Sequence, residues 1–139
     1  MNKILIVEDD PKIAMSLVIR LKASGYIPSV APDALAGASL ARAFKPDLIL
    51  LDISMPGGNG FQLAETLHRI PDTNGTPIIF MTASKNPELL QKVMTLGAIG
   101  LFEKPFEMDK LLSCIDSKFN RMADVSNAQQ RSTAPMPRH

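Results

Sequence analysis

Five apolar runs, each too short to form a helix, recur along the 139-residue chain, and each is followed by a longer stretch with helical spacing. The runs cover residues 4 to 7, 26 to 30, 48 to 51, 78 to 81 and 99 to 102. Strands that alternate with helices connect by right-handed crossovers and form a parallel sheet with helices on both faces. The sequence therefore predicts an α/β fold with five strands and five helices.

The composition of the runs predicts the order of the strands. Runs one, three and four are continuously apolar, which is typical of the interior strands of a parallel sheet. The second run contains Pro28, whose backbone nitrogen cannot donate to a neighbouring strand, and this favours an edge position. An order of 2-1-3-4-5 satisfies both conditions and defines a doubly wound, flavodoxin-like sheet.

Turn and capping residues bound the predicted helices. The limits are Gly25 at the end of the first helix, Asp33 and Phe44 around the second, Asn59 and Pro71 around the third, and Gly97 at the end of the fourth. A continuous apolar stripe from Met108 to Met122 predicts a long fifth helix. Residues 1–123 are therefore predicted to form one domain. Residues 124–139, which have almost no large apolar side chains, are predicted to form a disordered tail.

Polar side chains follow the ends of four apolar runs. Glu8 and Asp9 follow the first run, Asp52 the third, Thr82 the fourth and Lys104 the fifth. In open α/β sheets, ligands bind outside the carboxyl ends of the strands, where the strand order reverses. The sequence thus predicts that these side chains meet at one edge of the sheet.

Clustered carboxylates repel one another unless a cation relieves the repulsion. Mg²⁺ prefers oxygen ligands from one or two carboxylates together with waters and a phosphoryl oxygen. We expect Asp9 and Asp52 to bind Mg²⁺ directly, with Mn²⁺ as the alternative ion. Glu8 would act through a metal-bound water, and the backbone carbonyl of Ser54 would complete the protein ligands.

The same residues fit phosphoryl transfer. Asp52 has the chemistry of a nucleophile that forms an aspartyl phosphate. The Thr82 hydroxyl and the Lys104 ammonium can each bind one phosphoryl oxygen, which supplies the charge neutralisation that the reaction needs. Asp10 directly precedes Pro11 at a helix start, so we assign it to the helix N-terminus and leave it out of the site.

Taken together, these motifs resemble the receiver domain of two-component response regulators, the CheY-like family. The resemblance covers Lys3 to Met122. It is carried by Val7-Glu8-Asp9-Asp10, Leu51-Asp52-Ile53-Ser54-Met55-Pro56, Gly60, Met81-Thr82-Ala83 and Glu103-Lys104-Pro105-Phe106. It implies that Asp52 is the phosphoacceptor, Glu8 and Asp9 the acidic pair, Thr82 the switch hydroxyl and Lys104 the phosphate-contacting lysine. It also implies a cis bond between Lys104 and Pro105.

The resemblance implies partners as well. The phosphoryl donor would be a sensor histidine kinase or a histidine phosphotransfer protein. The downstream partner would be a protein that binds the surface of the fourth helix, fifth strand and fifth helix. The chain would be a switch and not an enzyme, promoting its own phosphorylation and slow autodephosphorylation. We expect a monomer or a weak homodimer.

Two features depart from the usual pattern of the family. Leu101 stands where the family usually has a tyrosine or phenylalanine that reports phosphorylation, so we expect a smaller aliphatic repacking there. Ser54 and Ser84 occupy positions that influence hydrolysis of the phosphoryl group in the family. Because both are small and polar, we expect an intermediate phosphoryl lifetime.

Charge and hydropathy indicate which kinds of partner the protein binds and where in the cell it is located. The formal net charge is +1, with no concentrated basic stripe, so nucleic acid is not expected as a direct partner. No apolar stretch reaches the length of about 20 residues that spans a membrane, and no signal peptide is recognisable. With Cys114 as its one cysteine, the chain suits a reducing compartment, and we expect it to be cytoplasmic.

Alternatives to the phosphoacceptor switch remain open. A phosphatase of the haloacid dehalogenase type would need an acid two residues after its aspartate nucleophile, where this chain has Ser54. A docking module that is never phosphorylated would have no use for three clustered acids. The chain can also be a receiver fragment of a larger regulator whose output domain lies beyond it.

Overall fold

The computed structural model describes residues 1–56, 60–84 and 86–131, with side chains as far as residue 119. The chain divides into a compact unit, Met1–Pro105, and a second unit that begins at Phe106. The elements of the first unit are β1 (Lys3–Val7), α1 (Pro11–Ala23), β2 (Ile27–Ala31), α2 (Ala34–Ala43), β3 (Leu48–Asp52), α3 (Gly60–Arg69), β4 (Ile78–Thr82), α4 (Glu88–Met94) and β5 (Ala98–Glu103). The second unit contains α5 (Met108–Arg131).

The five strands form one parallel sheet in the order β2-β1-β3-β4-β5, which confirms the predicted topology. β3 and β4 are buried along their whole length, as continuously apolar interior strands should be. β2 pairs with β1 alone and carries Pro28, which confirms its edge position.

The main apolar core of the first unit joins β1, β2, β3 and β4 to three helices. Alternate residues of each strand point to the same face. Leu5, Leu51 and Phe80 lie in this core and are fully buried. The helices contribute Ala41 from α2, Leu63 and Leu67 from α3, and Val93 from α4. Burial of these side chains fixes the sheet register and therefore the positions of the residues at the strand ends.

The helix limits agree with the capping chemistry of the sequence. Asp10 is the N-cap of α1, and its Oδ1 accepts from the Lys12 amide at 2.8 Å, which confirms its helix-terminal role. Asp33 caps α2 in the same way. Gly25 and Gly97 follow α1 and α4 with φ angles of +90° and +86°, a conformation that suits glycine. The predicted start of α3 at Asn59 lies outside the described residues.

The fifth helix is longer than the sequence pattern suggests. The apolar stripe ends near Ala123, but α5 continues to Arg131. Residues 124–131 contain neither proline nor glycine, so the backbone can continue the helix although few apolar side chains are present. The predicted disordered tail therefore differs from the structure over residues 124–131, and its remainder, 132–139, lies outside the described residues. Among the residues described, no helix is both long enough and apolar enough to cross a membrane.

Gly60, the first residue of α3, lies directly against the end of β3. A Cβ atom there would lie 2.6 Å from the Ile53 Cα and 2.7 Å from the Asp52 carbonyl oxygen. Both neighbours are backbone atoms, so α3 or the end of β3 would have to shift. Glycine at this position therefore helps to place Asp52.

We expect Gly60→Ala to lower the free energy of unfolding by about 2–3 kcal/mol, the scale of overpacking in a close-packed site. Urea denaturation of the purified protein measures this. Gly75→Ala is the matched control, because a Cβ at Gly75 meets no atom within 4 Å, and it should change stability by less than about 1 kcal/mol. Equal effects of the two substitutions would contradict the proposed packing constraint.

Candidate functional site

The site residues predicted from the sequence meet at one edge of the sheet. Asp52 and Thr82 are the last residues of β3 and β4, while Glu8 and Lys104 directly follow β1 and β5. The parallel register places Val7 beside Leu51 and Thr82 beside Glu103. The Lys104 amide also donates to the Thr82 carbonyl oxygen at 2.7 Å, which links β5 to β4 at the site.

Three carboxylates form the acidic part of the site. One oxygen from each of Glu8, Asp9 and Asp52 lies within 4.8 Å of the other two. Glu8 and Asp52 are each only 1% exposed, whereas Asp9 is open to solvent. The predicted cluster is therefore present, with two buried acids and one at the surface.

The Lys104 ammonium lies between the two buried acids. Its Nζ is 2.8 Å from Glu8 Oε1 and 2.8 Å from Asp52 Oδ2, and its side chain is 17% exposed. The contact with Asp52 is also an aligned hydrogen bond. Glu8 Oε1 accepts no aligned hydrogen bond from the described residues, so its contact with Lys104 is an ion pair by distance. Glu8 Oε2 accepts from the Asp10 amide at 3.0 Å.

Burial and charge pairing shift the pKa values of these groups in different directions. Burial is the largest influence on Glu8 and raises its pKa to about 6, although the neighbouring Lys104 ammonium and the hydrogen bond from the Asp10 amide act to lower it. Burial opposes ionisation of Asp52 as well, but hydrogen bonds from Lys104 and Ser54 outweigh it and lower the pKa of Asp52. For Lys104, the two carboxylates outweigh burial and raise the pKa. The resting site thus holds Asp52 as a carboxylate beside an ammonium.

The Ser54 side chain has a role that the sequence did not reveal. Its hydroxyl donates to Asp52 Oδ1 at 2.7 Å and accepts from the Ala83 amide at 3.1 Å. The Ser54 amide donates to the same Asp52 oxygen at 2.8 Å. A serine two residues after an aspartate can form such a local turn, so the spacing of Asp52 and Ser54 is the sequence feature from which this hydrogen bond could be predicted. The contact with Ala83 could be found only once the strand register was known.

The two switch positions occupy different environments on neighbouring strands. Thr82 is 3% exposed, and its Oγ1 accepts from the Ser84 amide at 3.0 Å, so the hydroxyl proton remains for another acceptor. Leu101 pairs with Phe80 on β4 and packs, half-buried, against the core. The bond between Lys104 and Pro105 is cis, which confirms the sequence-based expectation.

The donor set fits a hard divalent cation. Three carboxylates face one ammonium, so negative charge is in excess. Their oxygens lie within 4.8 Å of one another, which is near enough for them to approach one ion whose distances to its oxygen ligands are about 2.0–2.1 Å. Asp9 and Ser54 are exposed, which leaves room for the waters that Mg²⁺ usually keeps. The structure therefore presents an acidic cluster that could hold a metal ion.

Comparison with known proteins identifies the family. Residues 4–116 match the response regulator receiver domain family, and the chain belongs to it. The chemotaxis protein CheY4 of Vibrio cholerae has a similar structure, with a TM-score of 0.78 and 29% identity over 84% of this chain and 97% of that chain. The Francisella response regulator 1452 receiver domain gives a TM-score of 0.79 at 26% identity, covering 88% of this chain and 99% of that chain.

A longer relative is the DNA-binding dual master transcriptional regulator RpaA of Synechocystis. It is 31% identical over 132 residues, which is 95% of this chain and 55% of that protein. The chain spans about half the length of the curated relatives it matches. Because this relative is named as DNA-binding, the expectation that nucleic acid is no direct partner gains no support from the comparison.

The raised pKa of Glu8 predicts a pH-dependent stability. Since its pKa is about 6 in the folded protein against 4.5 ordinarily, folding favours the protonated form. The ionised form therefore destabilises the fold as pH rises through 6, and below pH 4.5 this cost is absent. One pKa unit corresponds to about 1.4 kcal/mol, so the cost at pH 7.5 is about 2 kcal/mol.

We expect Glu8→Gln to be more stable than the natural protein by about 2 kcal/mol at pH 7.5 and by less than about 1 kcal/mol at pH 5, without added metal. Urea denaturation in a chelator at both pH values measures the difference. Glu65→Gln, which alters an exposed carboxyl on α3, is the control and should show no such pH trend. A Glu8→Gln protein that is less stable at pH 7.5 would contradict the assignment of a buried, destabilising charge.

Proposed function

We propose that the chain is a phosphoacceptor switch in two-component signalling, and that Asp52 receives the phosphoryl group in a Mg²⁺-dependent reaction. The observation that carries the proposal is the position of Asp52. It is buried at the sheet edge, beside two further carboxylates and within 2.8 Å of the Lys104 ammonium. Membership in the receiver family supports this reading.

The chemistry follows from the side chains present. A carboxylate oxygen of Asp52 attacks phosphorus, and the bond from phosphorus to the donor breaks with its electron pair remaining on the donor. When bound, Mg²⁺ supplies positive charge for the phosphoryl oxygens. Asp9, Asp52 and the Ser54 carbonyl would hold it, and Glu8 would orient a water on it. Lys104 and the Thr82 hydroxyl supply further charge and hydrogen bonding to those oxygens.

The proposed partners are proteins. A sensor histidine kinase or a histidine phosphotransfer protein supplies the phosphoryl group, and a downstream protein recognises the phosphorylated conformation. In the first unit, Leu90 and Met94 of α4 and Ile99 of β5 are large apolar side chains that are exposed. Such exposed groups favour α4 and β5 as part of the surface that a downstream protein binds.

The output of the chain depends on whether it acts alone or as part of a longer regulator. We treat it as a switch that hydrolyses its own acyl phosphate slowly, not as an enzyme acting on other substrates. As a stand-alone switch it would act by protein contact in the cytoplasm. As a receiver part of a longer regulator it would control an attached output domain, a possibility that the greater length of its relatives favours.

Incubation with acetyl phosphate tests the proposal. With Mg²⁺ present, intact-mass measurement should show the addition of one phosphoryl group to the natural protein. The addition should disappear in a chelator and in Asp52→Asn, because both remove a required component. Asp10→Asn is the matched control: it alters a neighbouring acid but keeps an N-cap side chain on α1.

The outcomes separate the candidate functions. Phosphorylation of the natural protein and of Asp10→Asn, but not of Asp52→Asn, supports the switch. Absence of phosphorylation, together with absence of any spectral change on adding beryllofluoride and Mg²⁺, would support the docking module instead. Phosphorylation that persists in Asp52→Asn would place the acceptor elsewhere.

Leu101 predicts a limited rearrangement on activation. Because it is aliphatic and half-buried against the core, we expect its rotamer to change with beryllofluoride bound while Phe102 stays in place. Crystal structures with and without beryllofluoride measure both side chains. Rotation of Phe102 with an unchanged Leu101 would contradict this prediction, because Phe102 would then be the residue of β5 that responds to phosphorylation.

A further inference from the structure

The Ser54 hydroxyl connects two segments that are distant in sequence. It donates to Asp52 on β3 and accepts from the Ala83 amide, 29 residues away, directly after β4. The distances are 2.7 Å and 3.1 Å, and both lie in the normal range for hydrogen bonds. One small side chain thus contacts the proposed phosphoacceptor and the start of the segment that leads to α4.

Further local bonds continue from this segment to the first residue of α4. Each one joins a side-chain oxygen to an amide two residues later. They are Thr82 Oγ1 with the Ser84 amide at 3.0 Å, Ser84 Oγ with the Asn86 amide at 3.2 Å, and Asn86 Oδ1 with the Glu88 amide at 2.9 Å. A change in the contact between Ser54 and Ala83 would therefore act directly beside Ser84 and Asn86, whose side chains and amides connect Thr82 to the first residue of α4.

Both carboxylate oxygens of Asp52 have donors in the resting site. Oδ1 accepts the hydroxyl and the amide of Ser54, and Oδ2 accepts from Lys104. Hydrogen bonds to an ionised acceptor are stronger than those to a neutral one. Once Asp52 becomes an acyl phosphate, one oxygen bridges to phosphorus and the other is an uncharged carbonyl oxygen. The Ser54 hydroxyl consequently stabilises Asp52 more before phosphoryl transfer than after it.

We propose that Ser54 is a positioning residue whose hydroxyl holds Asp52 and the segment after β4 together before phosphorylation, and that formation of the acyl phosphate releases this connection. The proposal rests on the proposed function, since it needs Asp52 to be the acceptor. Ser54 acts here through Asp52 and Ala83, not on phosphorus. Release of the Ala83 contact would alter the residues that lead to α4, so that phosphorylation of Asp52 changes the position of that helix. This route does not need an aromatic switch residue, and the chain has Leu101 at that position.

Phosphorylation rates test the restraint on Asp52. With acetyl phosphate and saturating Mg²⁺, Ser54→Ala should be phosphorylated roughly three- to tenfold faster than the natural protein, the scale of one net hydrogen bond. Ser54→Thr keeps the hydroxyl and should remain close to the natural rate. Ser39→Ala, which removes an exposed serine hydroxyl from α2, is the control and should leave the rate unchanged.

The Ala83 amide gives a readout that does not depend on phosphorylation. In NMR spectra of the metal-free protein, hydrogen exchange of this amide should be roughly three- to tenfold faster in Ser54→Ala, because it loses its acceptor. The amide should behave naturally in Ser54→Thr.

Two failures can be told apart. If the natural protein is phosphorylated on Asp52 but Ser54→Ala is equally fast or slower, or if its Ala83 amide is unchanged, the role of Ser54 is wrong and the proposed function stands. If the natural protein is not phosphorylated at all, the proposed function fails and the role of Ser54 fails with it.

Discussion

The ion pairs that Lys104 makes with Glu8 and Asp52 are the interaction on which the rest of the site depends. Two buried carboxylates would be strongly unfavourable side by side without a nearby positive charge. Lys104 supplies that charge at 2.8 Å from each acid. Burial still raises the pKa of Glu8 to about 6 in spite of Lys104, and Asp9 adds a third carboxylate to the site. The remaining excess of negative charge is the physical reason to expect a divalent cation.

The fold produces this arrangement through strand order and close packing. Reversal of the strand order between β1 and β3 brings Glu8 and Asp52 to neighbouring ends of two parallel strands, and β4 and β5 add Thr82 and Lys104. The interior strands are buried along their length, so a shift of register would expose apolar side chains. At Gly60, backbone atoms leave no space for a side chain. The site is therefore buried and closely packed around Asp52, and it is open to solvent at Asp9 and Ser54.

Most of the fold and the residues of the candidate site could be predicted from local chemistry. Pro28 identified the edge strand, Asp33 marked the start of α2, and the acids after two apolar runs predicted the convergence that β1 and β3 produce. Features that depend on three-dimensional register could not be predicted. The hydrogen bond between Ser54 and Ala83 needs β3 and β4 side by side, and the bridging position of Lys104 needs the end of β5 in place. The apolar pattern does not predict that α5 continues beyond Ala123, because helix propensity and not burial permits this part of the helix.

A calorimetric titration with Mg²⁺ tests the charge balance most directly. Excess negative charge at the site predicts that the natural protein binds one Mg²⁺ ion, and that Asp9→Asn and Asp52→Asn each bind it at least about tenfold more weakly, since each removes a charged ligand. Asp72→Asn alters an exposed carboxyl between α3 and β4, before β4 begins and thus at the opposite edge of the parallel sheet, and it should bind as the natural protein does. Absence of Mg²⁺ binding by the natural protein, or equal affinity in all four proteins, would contradict the central claim that this sheet edge is a cation-dependent phosphoacceptor site.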